Sequence, residues 1–153
     1  ITVTQYNNTS IYKNTNEIIL NKKLKDIDNN LNEIAFENIK KSLQSYPHDG
    51  HVWLQGGILA LVLHRFQEAR EFLEKSQSCE MTDHVMSVRD LYLARCYDLL
   101  GLRSQGLQLY RSRQAVQEPK LKKAFQAGMK RSYSRSNIDS IQVDLQFPDT
   151  FNY

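Results

Sequence analysis

The sequence predicts an all-α fold built from repeated helical hairpins, and three observations carry that expectation. Only three prolines and six glycines occur in 153 residues, too few for a turn-rich β sandwich. Apolar residues recur with a helical period from about Asn16 to Tyr133. Three segments also superimpose on one another: EIAFENIKKSLQSYP (33–47), QEAREFLEKSQSCEM (67–81) and SQGLQLYRSRQAVQEP (104–119).

Taken in order, residues 1–15 are polar and expected to be irregular. Helices are expected near 17–27, 31–45, 50–63, 67–80, 85–100, 104–116 and 119–133, which places a helical domain at 16–135. Asp49 and Asp83 suit N-caps because a short carboxylate satisfies the orphan amides of a first turn, and Gly101 suits a helix C-terminus. After Asn137 the apolar residues Ile141, Val143, Leu145 and Phe147 alternate with polar ones, the pattern of an extended, half-buried segment. Residues 136–153 therefore read as an extended C-terminal tail.

The repeat has internal logic. Ala35, Ala69 and Gly106 are the small residues of the three segments, and Ile39, Leu73 and Tyr110 follow four positions later as the large ones. The preceding segments align as well: WLQGGILA (53–60) matches DLYLARCY (90–97) at an offset of 37 residues, with Gly57 on Ala94. A two-helix unit repeating at about 34 residues, with these small and large positions, resembles the tetratricopeptide repeat (TPR) family over residues 16–119. The middle unit carries Trp53, Gly57, Ala69 and Leu73. The last carries Leu93, Ala94, Tyr97, Gly106, Tyr110 and Pro119. In the first unit only the second helix fits, since Lys23 falls where a small residue belongs. The resemblance implies a TPR-like helical-hairpin solenoid, a right-handed superhelix of about three units, closed by a C-terminal capping helix.

That reading gives the adjacent Gly56 and Gly57 a reason. Each costs roughly 1 kcal/mol against alanine inside a helix. The expectation is that Gly57 faces Ala69, as Ala94 faces Gly106, and that Gly56 lets Trp53 or a neighbouring helix approach. No Gly-Lys-Ser/Thr follows the pair and no strand precedes it, so a phosphate-cradling loop is not expected.

Composition narrows the class further. Hydrophobic residues at 41% and charged ones at 24% suit a globular domain. The longest apolar run, Ile58 to Leu63, is far short of a membrane span. The chain opens on Ile1 with no signal-like region, which reads as a processed or excised piece. Cys79 and Cys96 have no metal spacing and read as two free thiols of a cytoplasmic protein. NNTS (7–10) contains two overlapping glycosylation sequons of a kind common by chance. Charge is unevenly spread: nine Lys/Arg stand against one acid from Arg103 to Arg135, thirteen acids against eleven bases before it, and three aspartates after it.

By the resemblance, the first helix of each hairpin lines a concave face. The middle unit places His51, Leu54, Ile58, Leu61 and Val62 there, and the last places Val88, Leu91, Arg95, Asp98 and Leu99. So apolar a surface does not stand uncovered in water. Three covers are open: neighbouring helices of the same domain, a peptide or helix from a partner, or the tail from Ile138 to Tyr153 docked in cis. The TPR clamp for a C-terminal carboxylate needs lysine and asparagine where Leu54 and Ile58 stand, so an acidic chaperone-type tail is not the expected ligand. Arg95 is the polar group that would orient a peptide, with Asp98 as its local alternative partner.

Other motifs read as structural. YPHDGH (46–51) gathers His48, Asp49 and His51, and a turn with an N-cap explains it better than a metal site. Leu121, Phe125 and Met129 form a stripe that would seal the last unit, while Lys120, Lys122, Lys123, Lys130, Arg131 and Arg135 occupy the other faces. These cations read as a solvated face, with an anionic surface, nucleic acid or acidic partner as the alternative. Glu68, Glu71 and Glu74 read as solvent face. No serine or cysteine elbow and no histidine-rich motif occurs, so neither catalysis nor a cofactor is expected. The expected function is a protein-interaction module acting as adaptor, assembly factor or chaperone, the alternatives being nucleic-acid or anionic-surface binding through the basic 103–135 region and a scaffold domain of a larger enzyme. A homodimer remains an open partner state.

Overall fold

No glycine or proline interrupts the chain before Pro47, and nothing else in that stretch is costly enough to break a helix. In the computed structural model, which describes the backbone of residues 3–141 and the side chains of 17–138 and 141, a single helix α1 accordingly runs from Val3 to Ser45. The irregular segment expected up to residue 15 and the break expected near Asp28-Asn29-Asn30 are absent. Weak helix formers cost only about 0.5 kcal/mol each, whereas Pro47 restricts Tyr46 and stops the helix.

Five further helices follow: α2 Gly50–Val62, α3 Phe66–Ser76, α4 Asp83–Leu99, α5 Arg103–Ser112 and α6 Pro119–Lys130. No strand occurs among the described residues, and the fold is all-α. The expected extended tail begins instead with a 3-10 helix, Arg135–Ser140, favoured by the capping bonds of Ser134 and Asn137; Ile141, the first of the alternating residues, follows it with extended backbone. Val143, Leu145 and Phe147 lie outside the described residues, as do the side chains of the sequon residues 7–10.

The chain divides into two units, residues 1–34 and 35–153. In the first, the described side chains of α1 are largely exposed. The second holds the core, in which α2 pairs with α3 and α4 with α5, while α4 also meets α3, α2 and α6. Phe36, Leu54, Leu73, Leu91, Tyr92, Leu93, Tyr110 and Phe125 are among its largest fully buried side chains.

Helix ends are set by side chains. Asp49 caps α2 as expected, accepting from the amides of His51 and Val52 at 3.1 and 3.3 Å. The cap of α4 is Thr82 rather than Asp83: its hydroxyl accepts from the Val85 amide at 3.4 Å, and Asp83 moves into the first turn, where a negative charge is also favourable. Both hairpin turns close alike. The Arg65 amide donates to the Ala60 carbonyl and the His64 amide to that of Leu61; Leu102 and Gly101 repeat this on Tyr97 and Asp98. This is the Schellman arrangement, and its left-handed residue is His64 (φ 59°) in one turn and Gly101 (φ 76°) in the other. The two turns are separated by the same 37 residues that relate WLQGGILA to DLYLARCY.

The glycine pair marks close packing: a neighbouring helix approaches at Gly56, as expected, while the nearest neighbour of Gly57 differs from the expected one. A Cβ on Gly57 would stand 2.5 Å from Leu73 Cγ, so the nearest neighbour of Gly57 is Leu73 rather than the expected Ala69. The large residue four positions on reaches back across α2, because helical side chains lean toward the N-terminus. A Cβ on Gly56 would enter the Phe72 ring, with Ile39 of α1 3.1 Å away. Phe72 thus fills the space that Gly56 leaves, and it also packs on Phe36 and, edge-on, on Trp53 at centroid distances of 5.3 and 5.1 Å. Gly106 meets Ala94 as expected, its would-be Cβ 3.0 Å from the Ala94 carbonyl oxygen.

Candidate partner-binding face

The residues expected to line a groove come together on α2 and α4, where they are covered. Leu54, Leu61, Val88 and Leu91 are fully buried, and Ile58 nearly so, all in one cluster with Leu73 and Ala94. Val62 is half-buried. Arg95 retains 8% exposure, and its guanidinium lies over the rings of Tyr92 and Tyr133 at 5.3 and 4.8 Å.

Part of the cover is the chain that follows α6. Extended backbone at Arg131 ends α6, and the Tyr133 amide then donates to Asp98 Oδ2 at 2.9 Å. Arg135 stacks over the Phe66 ring at 5.3 Å. The 3-10 helix lies against α2. Ile138 is 1% exposed, and Ile141 packs on the main apolar cluster.

Asp98 is the anchor of this return. Its side chain is fully buried and accepts from Arg103 Nη1 at 3.1 and 3.0 Å, from the Tyr110 hydroxyl at 2.9 Å, and from Tyr133. Arg103 also donates to the Gly128 carbonyl at 2.7 Å. One carboxylate thereby ties α4, α5, the end of α6 and the returning segment together. A buried carboxylate needs such donors, since an unpaired one is strongly destabilising. Burial, followed by the charge of Asp98, raises the Tyr110 phenol well above its ordinary value. Asp90 does similar work, accepting from Arg89 and Arg113, each at 2.8 Å.

Several other reactive groups are engaged elsewhere in the fold. The Cys96 thiol donates to the Phe66 carbonyl at 3.3 Å, and burial pushes it up to about 12, which leaves it protonated and unreactive. Cys79 and Cys96 are both free. Glu74 is not simply solvent face. Burial raises its carboxyl, but hydrogen bonds from Arg70 and Tyr97, at 2.9 Å each, prevail and hold it below the usual range. Glu68 pairs with Lys40 of α1 at 3.4 Å. Asp49 is used in capping, and among the described residues no three His, Cys, Asp or Glu side chains gather as a metal site.

On α6, Leu121 and Phe125 are buried and Met129 half-buried, while Lys120, Lys122, Lys123 and Lys130, together with Arg131 and Arg135 beyond its end, are exposed. Between α6 and the returning segment lies a cavity of about 190 Å³, lined by Arg95, Tyr110, Gly128, Arg131 and Tyr133 among others. Sequence reasoning placed Asp98 on this face but missed its role. The signal lay in Tyr110, whose hydroxyl needs a partner once the ring is the large residue of a buried unit. No described helix is long and apolar enough to cross a membrane. Comparison of the chain with protein-family models, with curated proteins and with solved structures gives no match.

Proposed function

We propose that this chain is a protein-binding module of the TPR type, a right-handed solenoid of about three hairpin units whose α2–α4 face receives an apolar peptide or helix. Its role would be that of an adaptor, assembly factor or chaperone. The repeated hairpin turn, at the same 37-residue offset as the helices before it, supports the repeat reading. The observation that carries the binding reading is the segment that follows α6: it bonds to Asp98 of α4 through the Tyr133 amide, its 3-10 helix lies against α2, and Ile141 packs on the apolar cluster of the face. A face that accepts its own peptide has the shape and chemistry to accept another. Binding then proceeds by exchange, with the partner replacing the resident segment and Arg95 and Tyr133 setting orientation at its edge.

The test uses a chain ending at Ser136, which keeps the Asp98–Tyr133 contact, and a labelled peptide of residues 137–153. The shortened chain should bind this peptide in trans with little dependence on salt, and the full chain should bind it far more weakly. Equal binding by both chains, or none by the shortened one while its circular dichroism remains native, refutes the exchange reading. A second reading rests on the six exposed cations of α6 and its flank, which favour an acidic or nucleic-acid partner. Affinity falling steeply with salt would separate it from the first.

A further inference from the structure

The first unit carries an apolar face of a different kind. In α1, Leu20, Leu24, Ile27, Leu31 and Ile34 follow one another at spacings of four, three, four and three residues, and each is between 47% and 59% exposed. The mean spacing is 3.5 residues, that of a coiled-coil seam. The frame makes Leu24 and Leu31 the a positions and Leu20, Ile27 and Ile34 the d positions. Ile18 and Ile19, also exposed, fall off this seam.

We propose that copies of this chain associate through the stripe as a parallel, in-register coiled coil. Charge selects the partner and its direction. In this frame Lys23 is a g position and Asp28 the e position five residues on, both exposed. Parallel alignment of two copies puts Lys23 beside Asp28 of the neighbour, and the reverse, at every g–e contact within the stripe that carries charge. It also uses all five apolar layers. Antiparallel alignments that keep a against d engage only four of the stripe residues from each chain. Of these, the one pairing Leu24 with Ile34 sets Asp28 against Asp28, with Lys23 finding Glu37 only beyond the apolar stripe, while the one pairing Leu24 with Ile27 leaves Lys23 and Asp28 facing asparagines. Leucine at a with isoleucine at d favours three or four strands over two.

Light scattering of the full chain at rising concentration reads the association directly. The expected result is a mass of more than one chain, lost in Leu24→Asp/Leu31→Asp. Because that variant also alters the solubility of α1, the charge pair gives the sharper test. Lys23→Glu should weaken association several-fold, and Lys23→Glu/Asp28→Lys should restore it. A chain that stays monomeric at all concentrations overturns the proposal and leaves the stripe to a helix of another protein. Association that ignores Lys23→Glu, or that the double reversal fails to restore, overturns the parallel register and the proposal with it.

Discussion

At the scale of single residues, the two equivalent hairpin turns invite comparison, because they differ in the residue held in the left-handed region. Gly101 meets no steric cost at φ 76°, while His64 at φ 59° does, on the order of 1 kcal/mol. His64→Gly should therefore raise stability by about 0.5–1 kcal/mol, and Gly101→Ala should lower it by about 1 kcal/mol. Both are read from the urea midpoint at unchanged slope. What His64→Gly gives up is the contact between the His64 and Phe66 rings, 5.5 Å apart. A lowered midpoint would mean that this contact outweighs the backbone strain. The same scale explains why Gly57 meets Leu73: residue spacing identifies which positions are small, but the direction in which helical side chains lean decides what fills the space.

At the scale of elements, helices with strong boundary signals were legible and those without were not. Asp49 and Pro47 fix the start of α2, and Gly101 the end of α4, so those bounds followed from the sequence. The ends of α3 at Ser76 and α5 at Ser112 fall about four residues short of expectation. Apolar periodicity continues past both, and no glycine or proline marks the stop. The candidate face was legible as a set, since Leu54, Ile58, Leu61, Val88 and Leu91 do cluster. Its cover was less so: the 3-10 helix that buries Ile138 depends on Tyr133 meeting Asp98, a contact spanning 35 residues of sequence. The N-cap of α6 was missed because glutamate is an uncommon cap. Here Glu118 accepts from the amides of Lys120 and Leu121 at 3.2 and 2.6 Å. Glu118→Ala should cost about 1 kcal/mol, checked by chemical unfolding. Since α6 carries the chain toward α2, the same variant should expose Ile138 more often, seen as faster amide exchange at Ile141.

At the scale of the whole molecule, the groups with resolved titration shifts lie in residues 35–153, and they make its stability asymmetric in pH. Burial raises the Cys96 thiol from an ordinary 9.0 to about 12 and the Tyr97 phenol from 10.0 to about 12. Burial also raises Tyr110, with Asp98 adding to the effect, and Tyr133, where Arg95 opposes it. Each of these groups holds its proton more tightly in the folded chain than in the unfolded one. Below pH about 9 both states are protonated and the contribution is complete; above it the unfolded chain releases protons first, and stability falls as pH rises. A fully buried group such as Cys96 or Tyr110 withdraws up to about 1.4 kcal/mol per pH unit across its window. The acid side holds one opposing case, Glu74, whose lowered value contributes stability that is lost as pH falls through it. Urea midpoints should thus be flat near neutrality and drop steeply between pH about 9 and about 11. Tyr110→Phe should be less stable at pH 8, having lost its bond to Asp98, and yet show a shallower alkaline slope, because one titrating phenol is gone. An unchanged slope in that variant would mean that the alkaline loss arises elsewhere than in the Asp98 network.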